Sequence, residues 1–172
     1  FEVVLSEGFD NSQDNTNLDY SGWVNFAEQG TELWTEQVYN GNGYTEFSAY
    51  RTFEDVNIGW LVTPGFDLTG STNSFINFKL AQHHLDDDQN NTLEVFISND
   101  FDGSNVLAAT WNKLSVQIPN MSNSWYAFQD SGLIDVSSYE GTIYIGFKYV
   151  GSGTNTSLDG GYFVDDILFL KK

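Results

Sequence analysis

The sequence predicts an all-β protein folded as a two-sheet jelly-roll β-sandwich. Alternating segments of β-branched and aromatic residues recur along nearly the whole chain, which is the pattern of half-buried strands. Turn-forming residues separate these segments at intervals typical of a sandwich. No long helical periodicity competes, and only one short helical turn is predicted, over residues 136–139. Two sheets around one core are the simplest architecture for this pattern.

Eight segments carry the strand pattern. In chain order they are residues 1–9, 47–53, 59–63, 75–80, 92–98, 113–118, 142–150 and 161–170. Segment 142–150 alternates most clearly, because one of its faces is entirely apolar whereas the other includes Gly146 and Lys148. We expect the apolar face in the core. That face consists of Ile143, Ile145, Phe147 and Tyr149.

The length of the chain bounds its organisation. Its 172 residues, 40% of them hydrophobic, suffice for one good core and are short for two, so we expect a single domain over residues 1–172. No apolar run of about 18 residues is present to span a membrane, and the first residues lack the order of a secretion signal. We expect Phe1 to be a cut end, with neighbouring domains of a larger secreted protein among the partners.

Charge and cysteine content exclude several functions. Twenty-four acidic residues against six lysines and arginines give a formal net charge of -18. Such a surface repels nucleic acids, anionic membranes and acidic polysaccharides, so a polysaccharide partner is expected to be neutral. The absence of cysteine rules out disulfides, thiolate metal sites and cysteine nucleophiles, and it is compatible with a secreted bacterial domain.

Two adjacent carboxylates, Asp165 and Asp166, interrupt the apolar run of the last predicted strand. Because side chains alternate across a strand, the two point to opposite faces, and at least one has to leave water. No lysine or arginine lies between Lys148 and Lys171. We therefore expect a hard cation such as calcium to compensate the buried charge. The alternative is an exposed strand end with both carboxylates in water.

Both histidines of the chain, His83 and His84, lie beside the acidic run 86–88. Adjacent side chains of an extended segment point apart, so the pair is not expected to chelate one metal ion. The aspartates are expected to form a solvated turn. His83, His84 and Asp86 are instead candidates for hydrogen bonds to sugar hydroxyls.

Aromatic side chains are candidates for sugar binding, because flat rings stack on the C–H faces of sugars. Most of the five Trp, nine Tyr and fourteen Phe are expected in the core. The tryptophans expected there are Trp23, Trp34, Trp60 and Trp111. Trp125 and Tyr126 follow a polar run at a loop edge and form the best candidate platform. Tyr162 and Tyr44, each next to a glycine, are lesser candidates.

Six phrases spread from end to end resemble one family of domains. They are residues 6–10 (Ser-Glu-Gly-Phe-Asp), 22–26 (Gly-Trp-Val-Asn-Phe), 59–68 (Gly-Trp-Leu-Val-Thr-Pro-Gly-Phe-Asp-Leu), 97–103, 144–149 and 163–167 (Phe-Val-Asp-Asp-Ile). Together they are similar to the choice-of-anchor J and cleaved-adhesin domains of secreted Bacteroidetes proteins. These domains are related in shape to MAM and galactose-binding-like jelly rolls, although this chain lacks the paired cysteines of MAM domains.

The resemblance implies a non-catalytic, extracellular or cell-surface domain with a structural calcium ion near the first and last strands. The implied ligands are Glu7, the carbonyl of Phe9, Asp10, Asn40, Asn42 and Asp165. Similar sugar-binding jelly rolls place an early glutamate and a late aspartate on such an ion, which favours Asp165 over Asp166.

Three functional hypotheses follow. The first is a carbohydrate-binding accessory module, with Trp125 and Tyr126 stacking on a neutral polysaccharide. The second is a protein-binding adhesin or spacer domain without a sugar site. An enzyme is not expected, because neither histidine accompanies a nucleophile motif. A glycoside hydrolase needs two carboxylates that face each other across a groove, and the number of acidic residues does not show whether such a pair exists. A glycoside hydrolase is therefore the third hypothesis.

Overall fold

The computed structural model describes every residue from Phe1 to Lys172. Strands dominate it, with one turn of 3-10 helix at Val106–Ala108 and another at Thr156–Leu158. The strands are β1 (Glu2–Glu7), β2 (Thr16–Asn17), β3 (Val24–Gln29), β4 (Thr35–Tyr39), β5 (Asn42–Ser48), β6 (Asn57–Val62), β7 (Phe66–Asp67), β8 (Ser74–His83), β9 (Thr92–Ser98), β10 (Asn112–Lys113), β11 (Gln129–Asp130), β12 (Ile134–Asp135), β13 (Thr142–Gly151) and β14 (Gly161–Lys171). Neither helical turn is long or apolar enough to cross a membrane.

The strands form two antiparallel sheets, which confirms the predicted β-sandwich. The eight-stranded sheet has the order β11-β8-β14-β5-β4-β2, with β1 also paired to β14 and β12 also paired to β8. The six-stranded sheet has the order β10-β9-β13-β6-β3, with β7 also paired to β13. The first and last strands lie side by side, with Glu7 opposite Ile167.

The two sheets enclose a core of 24 buried hydrophobic residues. The predicted core face of β13 is confirmed, because its four apolar side chains are at most 1% exposed. The tryptophan prediction is confirmed for Trp34, which is buried in this core. Trp60 is buried in a second, four-residue cluster, and Trp23 and Trp111 are only half-buried against the two clusters. The indole N–H of Trp34 donates a 3.1 Å hydrogen bond to the carbonyl of Gly59.

Three parts of the strand prediction need correction. Strands β3 and β4 were not predicted; in β4 the buried Glu36 breaks the apolar alternation. Strand β5 ends at Ser48, earlier than predicted, because Arg51 and Phe53 adopt left-handed φ angles of 64° and 59°. The predicted strand 113–118 is reduced to β10. The turn predicted at 136–139 is present as a single hydrogen-bonded turn, with the Tyr139 N–H bonded to the Val136 carbonyl.

Candidate functional site

The outer face of the eight-stranded sheet carries the candidate site. Alternation along β5 and β14 directs Phe47 and Tyr162 into the core. The same alternation leaves Tyr44, Glu46 and Phe163 on the outer face, where Phe163 and Glu46 are register partners. The rings of Tyr44 and Phe163 lie 4.3 Å apart. This face therefore presents rings and a carboxylate side by side.

A glycine allows an imidazole to cross one strand of this face. Gly161 of β14 lies between His83 of β8 and Ser48 of β5. A Cβ atom at position 161 would overlap the His83 ring, so the crossing requires glycine. The Nε2 atom of His83 thereby reaches the carboxylate of Glu46 on β5 and forms a hydrogen-bonded pair with it. Glu46 thus fixes the orientation of the His83 ring.

The two histidines converge instead of pointing apart. His84 adopts the left-handed backbone conformation, with a φ of 55°. The Nδ1 atoms of His83 and His84 lie 2.7 Å apart. The prediction that the adjacent imidazoles diverge is wrong, because it assumed an extended backbone at both positions.

The structure brings Trp125 and Tyr126 next to these histidines. The Trp125 ring stacks on the His84 ring with 4.0 Å between centroids, and the Tyr126 ring stacks on the His83 ring at 5.3 Å. Trp125 and Tyr126 nevertheless remain 50% and 54% exposed. Four of the six residues predicted to contact a ligand therefore lie in one continuous surface.

Hydrogen bonds to Gln82 of β8 hold the loop that carries Trp125 and Tyr126. Gln82 is 1% exposed, and its side-chain amide donates hydrogen bonds of 3.2 and 2.8 Å to the carbonyls of Asn120 and Asn123. The Tyr126 N–H in turn donates a 2.8 Å hydrogen bond to the Gln82 carbonyl. These bonds attach the loop to β8 and restrain the backbone that carries the two exposed rings.

The histidines line a cleft of about 510 Å³. Its other polar and aromatic lining includes Glu32, Gln37, Glu46, Ser48, Tyr50 and Asp159. No lysine or arginine lines the cleft. Burial raises the pKa of Glu32, with a contribution from the charges of Glu54 and Glu46. Burial also raises the pKa of Asp159. The cleft therefore offers carboxylate, amide, hydroxyl and ring groups to a ligand.

Tyr162 and Asp86 were predicted to contact a ligand, but neither lines the cleft. Tyr162 is 1% exposed, and its hydroxyl donates a 2.9 Å hydrogen bond to the carbonyl of Asn91. The prediction that Tyr162 faces a ligand is corrected, because alternation along β14 turns it inward. Asp86 is exposed and does not line the cleft. It is close enough for its charge to contribute to the raised pKa of Asp159, so it lies near the rim.

Glu46, Tyr50 and Asp159 line the cleft but were not predicted as ligand-binding residues. A local signal existed for Glu46, because it alternates with Phe47 in a strand that begins earlier than predicted. No local signal marks Asp159, which precedes β14 and reaches the cleft only through strand order. Tyr50 follows the end of β5 and is 60% exposed.

A second cluster of oxygen atoms lies where β1 meets β14. Asp165 is 2% exposed and forms no ion pair. Its Oδ2 accepts a 3.0 Å hydrogen bond from the side-chain amide of Asn42, and its Oδ1 accepts a 2.7 Å bond from the N–H of Asp166. Burial raises the pKa of Asp165 to about 6, because neutral donors do not offset the loss of water.

The loop after β1 packs at the same end of the sheet. The N–H of Phe9 donates a 2.6 Å hydrogen bond to Oε1 of Glu7, and the φ of Phe9 is 52°. The carbonyl of Phe9 lies so close to Gly43 that a Cβ atom there would overlap it. Burial raises the pKa of Glu7, and the charge of Asp10 adds to the increase. The predicted calcium ligands from distant segments thus approach one another.

Asp166 and Asn40 lie near this cluster of oxygen atoms but are exposed to solvent. Asp166 is exposed and forms a 2.7 Å ion pair with Lys79, so a side chain compensates Asp166 but not Asp165. Asn40 is exposed in the β4–β5 turn, with a φ of 50°. No three His, Asp or Glu side chains assemble into a metal centre. A calcium ion here would need the Phe9 carbonyl and the Asn42 amide oxygen besides carboxylates, which suits its preference for six to eight oxygens.

A family profile described as a domain of unknown function, DUF5017, matches residues 68–168, which is more than half of the chain. The chain belongs to the DUF5017 family. The matched segment includes both histidines, the aromatic pair at 125–126 and Asp165. No curated protein matches this DUF5017 sequence.

Several solved structures share the fold of this DUF5017 protein. The K2 cleaved adhesin domain of Lys-gingipain is 16% identical with a TM-score of 0.61, covering 96% of this chain and 98% of that one. The K1 domain, from Porphyromonas gingivalis, is 15% identical with a TM-score of 0.60 and 98% coverage of both chains. The CBM22-2 xylan-binding domain of Xyn10C from Paenibacillus barcinonensis is 11% identical with a TM-score of 0.56, covering 98% and 99%.

These similarities confirm the jelly-roll fold and the predicted likeness to cleaved-adhesin domains of a Bacteroidetes protein. The choice-of-anchor J name stays a prediction.

Proposed function

We propose that this DUF5017 domain is a non-catalytic carbohydrate-binding module of an extracellular protein. The observation that carries the proposal is that the exposed rings of Trp125 and Tyr126 stack on His84 and His83, which line the cleft together with Glu46. Rings provide apolar area for the C–H face of a sugar, and convergent polar groups orient its hydroxyls.

The ligand is proposed to be a neutral polysaccharide. Glu32, Glu46 and Asp159 line the cleft without any lysine or arginine, and the whole chain has a formal net charge of -18. A sulfated or carboxylated glycan would be repelled, whereas hydroxyl groups can donate hydrogen bonds to these carboxylates.

A structural calcium ion is part of the proposal. Its ligands would be Glu7, the Phe9 carbonyl, Asp10, Asn42 and Asp165. The raised pKa values of Glu7 and Asp165 reflect carboxylates that have lost water without gaining a positive partner. Calcium would neutralise them and join the loop after β1 to the β4–β5 hairpin and to β14. Asn40 would take part only if the exposed turn that carries it moved inward.

The similar structures support two readings of the cleft. The xylan-binding CBM22-2 domain supports a glycan ligand. The Lys-gingipain cleaved adhesin domains support the second candidate, a protein-binding adhesin or spacer domain. The loop between β5 and β6 favours that candidate, because Tyr50, Phe53 and Val56 are 60%, 80% and 43% exposed. Either function fits an extracellular or cell-surface domain beside others of a parent protein.

Affinity electrophoresis in gels containing neutral or sulfated polysaccharides tests the proposal. We expect a neutral glycan to retard the wild-type domain, and Trp125→Ala and Tyr126→Ala to migrate freely. Phe1→Ala is the matched control, because this aromatic is 68% exposed but packs on Phe75 away from the cleft. Retardation by no glycan would favour the adhesin. Release of reducing ends would identify a hydrolase instead.

A further inference from the structure

We propose that His83 and His84 form a binding site for a divalent transition-metal ion such as Zn²⁺ or Cu²⁺. The proposal starts from the 2.7 Å separation of their Nδ1 atoms. Two ring nitrogens come this close when one donates a hydrogen bond to the lone pair of the other. Once both nitrogens are unprotonated, their two lone pairs point into the same space and can bind one cation. Imidazole nitrogen suits zinc, copper and nickel, whereas calcium prefers oxygen. This site is therefore chemically distinct from the calcium site proposed at Asp165.

The spacing of the two nitrogens is close to what a metal ion requires. Zinc–nitrogen bonds of about 2.0–2.1 Å at a tetrahedral angle separate two ligand nitrogens by roughly 3.3 Å. The Nδ1 atoms of His83 and His84 would need to open by about 0.6 Å from their present separation to reach that value. A small rotation of the His84 ring provides this opening. As the ion enters, the neutral His84 ring takes the tautomer that carries its proton on Nε2, which frees its Nδ1 to coordinate.

His83 is held in the orientation of a metal ligand. Its Nε2 atom is hydrogen-bonded to the carboxylate of Glu46, so Nδ1 is the nitrogen left to face the cleft. Its ring also lies 5.3 Å from the Tyr126 ring and 5.1 Å from the Phe163 ring. Metal-binding histidines usually donate their second nitrogen to such a carboxylate, which fixes the tautomer and strengthens the ligand.

His84 is directed by its backbone. The left-handed φ of 55° turns its ring toward His83, and the Trp125 ring stacks on it at 4.0 Å. Both imidazoles are therefore oriented before any ion arrives, which reduces the entropy lost on binding.

The cleft around the two histidines has a favourable electrostatic field for a cation. Asp159 and Glu32 line it with the two histidines, and no lysine or arginine does. These carboxylates do not assemble with the histidines into a centre of three protein ligands. The two imidazoles are therefore the protein ligands of the proposed ion, and water would complete its coordination.

Titration calorimetry with zinc chloride, in saturating calcium, tests this site with the metal alone. We expect one saturable zinc ion per wild-type chain. His84→Asn should abolish this binding, because asparagine tolerates the left-handed backbone but lacks the imidazole. Glu46→Gln should weaken it about 10–100-fold through the altered orientation of His83. Asp135→Asn, which changes an exposed carboxylate outside the cleft, should leave it unchanged.

Copper provides a second readout that leaves both histidines in place. We expect Cu²⁺ to quench the fluorescence of Trp125, which stacks on His84. Trp125→Phe should lose the quenching but keep the calorimetric zinc binding. Equal zinc binding by wild type and His84→Asn, or weak binding that does not saturate, would overturn the proposal and assign the uptake to surface carboxylates. Neither measurement depends on whether the cleft binds a glycan.

Discussion

The side-chain amide of Asn42 donates a 3.0 Å hydrogen bond to the buried carboxylate of Asp165, 123 positions later in the chain. This bond joins the β4–β5 hairpin to the last strand. The loop after β1 packs at the same place, since a Cβ atom on Gly8 would lie 3.4 Å from Oδ1 of Asp166. Three distant segments therefore meet at the Asp165–Asp166 pair, and the stability of this sheet end depends on how the buried charge of Asp165 is compensated.

Calcium should stabilise the domain through Asp165. At a calcium concentration about 100 times Kd, linkage predicts about 2.7 kcal/mol of added stability, removed again by a chelator. Asp165→Asn should lose this response in thermal unfolding. Asp166→Asn is the matched control, because it removes only the exposed ion pair with Lys79 and should keep the response. An identical melting temperature of the wild type with calcium and with chelator would contradict the proposed ion.

Gly43→Ala should destabilise the same sheet end. The new methyl group would overlap the Phe9 carbonyl oxygen and push it away, at a cost of about 1–3 kcal/mol. Denaturant unfolding measures the loss, and the calcium response should weaken as well. Gly8→Ala is the control, because its Cβ would make only ordinary contacts at 3.4 Å. Equal stability of both variants would show that the Phe9 carbonyl is free to move.

Gly161→Ala should separate His83 from Glu46. Its Cβ would occupy the space through which the imidazole crosses β14, so the ring has to turn away. We expect glycan retardation and zinc binding to fall together, whereas the cooperativity of unfolding is retained. Crystallography of the variant would locate the displaced ring. Full retention of both activities would mean that the histidine–glutamate pair is dispensable.

Alkaline pH should destabilise the domain through buried tyrosines. Burial raises the pKa of Tyr44 to about 12 and also raises the pKa of Tyr149 and Tyr162. The folded state therefore favours the neutral phenols, so their contribution is complete below about pH 10 and is lost as the pH rises toward 12. Guanidinium unfolding at pH 9, 10 and 11 should reveal a falling free energy of unfolding, with a smaller decrease in Tyr44→Phe. Ionisation of all nine tyrosines near pH 10 in a folded chain would contradict this.

The strand pattern and the buried carboxylate were predictable because both depend on local sequence. The apolar face of β13 follows from alternation alone, and it is buried as expected. The sequence predicted that at least one of the two adjacent aspartates leaves water, and Asp165 is buried. Asp166 is exposed because it lies at a register shift of β14 with a left-handed φ of 48°, which alternation alone does not predict. The exposure of Trp125 also followed from the polar run before it.

Only the tertiary structure decided which side chains meet in the cleft. His83 reaches Glu46 because strand order places β14 between β8 and β5, and because position 161 of β14 is a glycine. The left-handed φ angle of His84 turns its ring toward His83, and no local sequence pattern predicts that angle. Alternation reports which face a residue occupies, whereas the neighbours on that face depend on pairing between strands far apart in the chain. The sequence alone therefore determined the sandwich and its buried charge, and long-range strand pairing assembled the candidate site.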